Sequence, residues 1–388
     1  MFRPQNLPPL LFPLVFINLF GHVVLSGGRV TSALFALQSG ASELLVGLLI
    51  GLYGVLPMLL SLFMGRWVDR VGPFVPLRAG IAASLAGVLL PVLYPDIVSL
   101  FGTAILCGLG FTMVSVAAQH TVGHLGRASP ADRVANFGWL ALGHSSSAVL
   151  GPILVGVMID YAGFRAAFGV CSVSAAIALV LVLREQQRLR AVHTARPHRE
   201  QGDVWSLVNE PGLRRIYLVG VLLSISWDLF TFLMPILGHR SQLSASTIGA
   251  ILATFAAGTF GVRMVMARLA RSYNEWQILR SAIVVIVAVY VCLPIATAVP
   301  QFFALAFILG ASVGSAQPNM LSLLHAAAPH GRGAEAVGFR AMLGSASAVA
   351  VPFLFGATAA SLGLVPVFWS VAALIAAALP AAHRGTRK

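Results

Sequence analysis

The chain is written in long apolar runs separated by short polar ones. A helix that crosses about 30 Å of hydrocarbon needs about 20 apolar residues. Twelve such runs occur, near 9–36, 43–64, 75–94, 97–124, 134–159, 164–183, 214–238, 245–269, 276–296, 299–327, 334–360 and 364–382. They lack the strict alternation of an outer-membrane strand, so helices are the remaining way to satisfy the backbone in lipid. The first run follows one arginine, as a signal peptide would. It is long enough to span and has no small-residue cleavage site, so it reads as the first helix. The most polar stretch lies between runs six and seven. The pattern therefore predicts an all-α membrane protein with a six-helix bundle over 1–183, a basic cytoplasmic linker over 184–213 and a second six-helix bundle over 214–388.

Composition agrees: 58% of the 388 residues are hydrophobic and 10% charged, with a mean hydropathy of +0.89. The net charge of +13 would suit nucleic acid, but the basic residues form short loop clusters rather than a continuous groove, which argues against that partner. Of 25 Lys and Arg, only Arg165 and Arg240 fall on one side of the spans and Arg29, Arg263 and Arg340 within them; the other twenty share the opposite side. Basic residues gather on the cytoplasmic side, so both termini are expected there. Arginine in place of lysine in these loops suggests a GC-rich bacterial genome and an inner membrane. Cys107, Cys171 and Cys292 lie inside spans with no pairing or ligand spacing. No HExxH or Walker sequence occurs, and the GxSxG match at 310–314 lies inside an apolar run rather than at a strand-to-helix elbow, so neither an enzyme nor an ATP-driven pump is expected, and no metal or cofactor is called for.

The two halves repeat. "SAVLGPILVG" at 147–156 and "SAVAVPFLFG" at 347–356 agree at six of ten positions, and the same offset of 200 pairs Gly138 with Gly338. An offset of 202 pairs Gly47 with Gly249 and Arg66 with Arg268. "GRWVDRVGP", from Gly65 through Asp69, Arg70 and Gly72, resembles the helix 2–3 loop motif of the major facilitator superfamily, without the two basic residues usual at Pro73 and Phe74. "ARLAR" at 267–271, with Arg268, is the degenerate second copy. The resemblance covers the whole chain. It implies two pseudo-symmetric six-helix bundles, one chain sufficing for the path, with substrate held near mid-membrane between the halves. Gly151 and Pro152, with Gly156, resemble the glycine-proline signature of the antiporter branch in the altered spacing GPxxxG. That favours export; a plain small-residue packing seam with Gly143 and Ser147 is the alternative.

"LLSISWDLFTFLMP" holds Asp228, the one acidic residue deep in a span. An ionised carboxylate there costs at least about 2.5 kcal/mol, so it needs a partner or a cavity. Through the offset of 202, Asp228 matches Ser26, three residues from Arg29. Arg29 and Asp228 are thus expected at similar depth, as a proton-coupling pair or as a static one, with Arg29 also fit to hold an anion bidentately. His120 and His144 are reserve coupling candidates. Gln119, Trp227, Phe230, Gln317 and Asn319 are substrate contacts or helix-bridging and packing residues. Arg263 and Arg340 serve as conformational or substrate-contacting residues, or snorkel to the cytoplasmic surface. Proton-coupled export of a small neutral or anionic molecule is the leading expectation, uptake of an organic anion such as a carboxylate the second, and a transport-dead receptor the third.

Overall fold

The computed structural model describes residues 8–125, 130–192, 210–327 and 333–386. Its long helices are α1 (Leu11–Gln38), α2 (Glu43–Val71), α3 (Phe74–Leu93) and α4 (Ile97–Leu125), then a 55-residue helical segment, Pro130–Arg184. After it come α7 (Pro211–Arg240), α8 (Ala245–Ser272), α9 (Glu275–Cys292), α10 (Val299–Ala327), α11 (Gly333–Leu362) and α12 (Leu364–Ala376). The 55-residue segment is two helices, α5 (130–162) and α6 (164–184), parted at Gly163, where φ is 80° and ψ 176°. Gly363, 200 residues later, has φ 83° and precedes α12. Both turns need the positive φ that glycine adopts without steric cost. Counting α5 and α6 as one, eleven helices among the described residues are long and apolar enough to cross a membrane.

Residues 193–209 of the expected linker lie outside the described residues. Beside them stand a short helix, Gln186–Arg190, and the start of α7. Phe16, Leu59, Phe63, Met264 and Phe307 are exposed, as side chains that face lipid are. Since lipid is as apolar as leucine, close packing and polar contacts must hold these helices together, rather than escape from water.

The chain divides into two compact units. The first is 1–39, 52–198 and 244–249; the second is 40–51, 199–243 and 250–388. In the first, α1 lies against α4 and the α5–α6 segment, and α3 against α4. In the second, α7 packs on α11 and α9 on α10 and α12.

Backbone-to-backbone contact is made at glycines, and the sequence offset returns in it. In the first unit a Cβ on Gly108 would strike the Tyr53 carbonyl, and in the second a Cβ on Gly310 would strike that of Phe255. Both the glycines and the aromatics are 202 apart. Likewise Gly249 abuts the Pro152 carbonyl in the first unit and Gly47 that of Pro352 in the second. A Cβ on Gly156 would lie 2.5 Å from Ala245 O, and one on Gly356 2.7 Å from Glu43 O.

Candidate functional site

Asp228 sits half-buried on α7, just past mid-helix. Its Oδ2 is 3.4 Å from Ser347 Oγ of α11, whose hydroxyl also donates to Gly344 O at 2.7 Å. Thr231 Oγ1 donates to the Asp228 carbonyl at 3.0 Å, and Tyr290 of α9 donates at 2.6 Å to the carbonyl of Ser226, two residues before Asp228. Trp227 and Phe230 both turn toward Phe255 of α8, with ring centres 4.8 and 4.7 Å away. Phe230 is 1% exposed, so it fills the interior of the unit beside the carboxylate. Trp227 is half-buried and meets the Phe255 ring edge-on.

The first unit holds a polar cluster of which the sequence reading named His144 as a coupling candidate and Ser147 as a packing residue, and missed His22. His22 of α1 and His144 of α5 stack with ring centres 3.8 Å apart, and Phe111 of α4 lies 5.1 Å from His22. His22 Nδ1 is 2.7 Å from Ser147 Oγ, which donates to His144 O at 2.7 Å. Ser26 Oγ donates to Ser147 O at 3.4 Å. Ser26, Ser147 and Ser347 are related through the repeat: Ser147 matches Ser347, and Ser26 matches Asp228. The signal that would have found His22 is helical spacing, since His22, Ser26 and Arg29 fall at i, i+4 and i+7 on one face of α1. Arg29 itself is half-buried in the first unit, whereas Asp228 belongs to the second.

Other expected site residues have mostly local partners. Arg263 Nη2 donates to Gln317 Oε1 at 2.7 Å, so α8 and α10 bring those two together. Asn319 is buried, donating to Ser315 O at 2.7 Å and approaching Met266 Sδ at 3.7 Å. Gln119 is exposed on α4 and donates to Ser115 Oγ at 2.8 Å; His120 beside it is half-buried. Arg340 is half-buried on α11 against Gly220 of α7, and its buried Nε finds no acceptor among the described residues.

Gly65, Asp69 and Arg70 lie on the last two turns of α2, and Gly72 ends that helix with φ 76°. Arg268 lies near the end of α8. Gly151 and Pro152 form a packing surface: a Cβ on Gly151 would meet Ser26 and Gly27 of α1, and Gly143 faces Val15 one helical stretch earlier. The small-residue seam is thus physical, with α1 lying on α5 at nearly backbone distance.

Comparison with known proteins follows the same architecture. The Major Facilitator Superfamily model matches residues 11–300 and 216–385. Among solved structures, the chain is similar to a POT family transporter in complex with a thioalcohol-conjugated peptide, at a TM-score of 0.81 and 13% identity, covering 96% of this chain and 94% of that one. It is similar to the nucleoside transporter NupG, at 0.81 and 10%, covering 97% and 99%. A bacterial homologue of the human lysosomal transporter Spinster matches at 0.77 and 14%, covering 97% and 96%. No curated protein is matched by sequence. Twelve apolar helices, a six-helix repeat and a family match from end to end leave one conclusion: the chain belongs to the major facilitator superfamily.

Proposed function

We propose that the protein is a proton-coupled secondary transporter working by alternating access. It moves a small neutral or anionic organic molecule across a bacterial inner membrane, outward in exchange for protons. One chain forms the path, built from the bundles 1–183 and 214–388, with both termini in the cytoplasm. The observation that carries the reading is Asp228, an ionisable group in the middle of a membrane helix, beside a serine hydroxyl already committed to a backbone carbonyl. A carboxyl so placed exchanges a proton at low cost when its surroundings change, which is what coupling demands. Export is supported by the resemblance of Gly151 and Pro152 to the antiporter signature, with Gly151 against Ser26 and Gly27 of α1.

A specific observation favours the second reading, uptake of an organic anion. The Arg340 Nε–H is buried without an acceptor among the described residues, and a carboxylate oxygen is the acceptor a guanidinium binds best. The test is thermal stabilisation of purified wild type and Asp228→Asn by a panel of metabolites and antibiotics at about pH 6 and pH 8. A ligand whose stabilising effect depends on pH in wild type, and not in Asp228→Asn, supports coupling at Asp228. Unchanged pH dependence in the variant removes Asp228 from that role. Counterflow of a monocarboxylate against a lipophilic cation in proteoliposomes then separates the charge classes; preference for the cation ends the anion argument.

A further inference from the structure

The two serines 200 residues apart carry a consequence for proton chemistry. A serine hydroxyl has one proton and two acceptor lone pairs. Ser147 spends its proton on the His144 carbonyl, three residues back, at 2.7 Å. Its oxygen can therefore only accept from His22 Nδ1, which lies 2.7 Å away. That contact requires a hydrogen on Nδ1, so the neutral ring carries its proton there and Nε2 is the basic atom. Ser347 repeats the device. Its hydroxyl donates to Gly344 O, likewise three residues back, at 2.7 Å, and reaches Asp228 Oδ2 as a donor only at 3.4 Å.

We propose that His22 is a second proton-binding residue, the first unit's counterpart of Asp228, with Ser147 positioning it by fixing the hydrogen on Nδ1 and leaving Nε2 to take up the proton. Through the repeat, His22 stands one turn from Ser26, the residue that matches Asp228. Burial, His144 from α5 and Arg29 from its own helix all oppose a positive ring at His22, and α4 presents the Phe111 ring, so a proton is held there only when these surroundings change. Because the two imidazoles stack at 3.8 Å, two positive rings would be in direct contact, and the pair takes one proton rather than two. Its use in coupling rests on the transporter reading above, but its protonation does not, and the two are tested separately.

The test is long-range proton–nitrogen correlation of the imidazoles in full-length protein labelled with nitrogen-15 histidine, in lipid nanodiscs, titrated from about pH 8 to about pH 5. The His22 signals are those absent from His22→Asn, or from His22→Gln if the first variant does not fold. The expected result is an Nδ1–H neutral ring at high pH that becomes doubly protonated on acidification while His144 stays neutral. In Ser147→Ala the Nδ1–H signature is lost to the other tautomer or to a mixture of both. An Nε2–H ring in wild type, or a His22 that stays neutral throughout, overturns the proposal. So does a tautomer unchanged in Ser147→Ala. None of these outcomes depends on finding a substrate, so a failed ligand screen leaves this result intact.

Discussion

Asp160, at the end of α5, does for a helix what no residue inside α8 can do. The first N–H groups of any helix lack partners within it. Asp160 Oδ1 accepts from Ala245 N at 2.9 Å and Oδ2 from Ser246 N at 2.7 Å, while Ser244 Oγ takes Thr247 N at 3.2 Å. Burial pushes the Asp160 carboxyl up, and hydrogen bonds from Ser246, Ala245 and Ser244 outweigh it, holding the group below the usual carboxylate range. Because the folded carboxyl ionises more readily than the unfolded one, its contribution is complete above about pH 4 and fades as the pH falls through the folded value. Asp160→Ala is expected to cost about 1 kcal/mol, read by reversible unfolding in mixed micelles at neutral pH. A smaller loss for Asp160→Asn, with no pH dependence of its own, identifies the carboxylate as the cap; equal stability of wild type and Asp160→Ala contradicts it. Depth and chemical type made Asp228 legible in the sequence, since a lone acid in an apolar run stands out. His22 was legible only as a polar position on one face with Ser26 and Arg29; its meaning lies in Ser147, 125 residues away. Asp160 was hidden for the same reason: only the fold brings it to residues 85 positions on.

At the scale of helices, the repeat was readable because glycine is costly to keep where nothing needs it. The offsets that matched Gly47 with Gly249, and Pro152 with Pro352, turn out to describe the same contact made twice, a glycine against the carbonyl of a proline. What the sequence could not give is which carbonyl each glycine meets, since that depends on helix pairing. Nor did it show that Gly163 and Gly363, both in breaks between the apolar runs, share a positive φ, because a glycine in a short break fits several turn geometries. Gly249→Ala should force residues 244–249 away from α5 and destabilise the first unit by about 1–3 kcal/mol, as overpacking does. Gly169→Ala is the control, with nothing within 4 Å of the added methyl and a gain in helix propensity of up to about 1 kcal/mol. Unfolding midpoints of the two variants in one detergent decide the matter: if Gly249→Ala is as stable as Gly169→Ala, the close approach is not a constraint on the fold.

For the whole molecule, the direction in which the chain threads the membrane sets which compartment supplies protons to each face. The expectation rests on arginine placement, in which Arg165 and Arg240 alone fall outside the basic side and the spans. Their partners are local and specific: Arg165 Nε donates to Val92 O at 2.6 Å, and Arg240 is bound to Glu43, with Nε at 3.0 Å from Oε1. Both are thereby tied to the ends of neighbouring helices, and two arginines against twenty leave the bias unchanged. Tyr161, 86% exposed beside Arg165, is predicted to lie outside the cytoplasm, and Glu185, after α6, inside it. Single cysteines at these two positions, in a background with Cys107, Cys171 and Cys292 replaced, test this with a membrane-impermeant maleimide. Tyr161→Cys should label in intact cells and Glu185→Cys only after permeabilisation. The reverse pattern would invert the expected topology and place both termini outside the cytoplasm. If both positions label only after permeabilisation, the break at Gly163 does not reach the outer surface and α5–α6 is not a pair of spans.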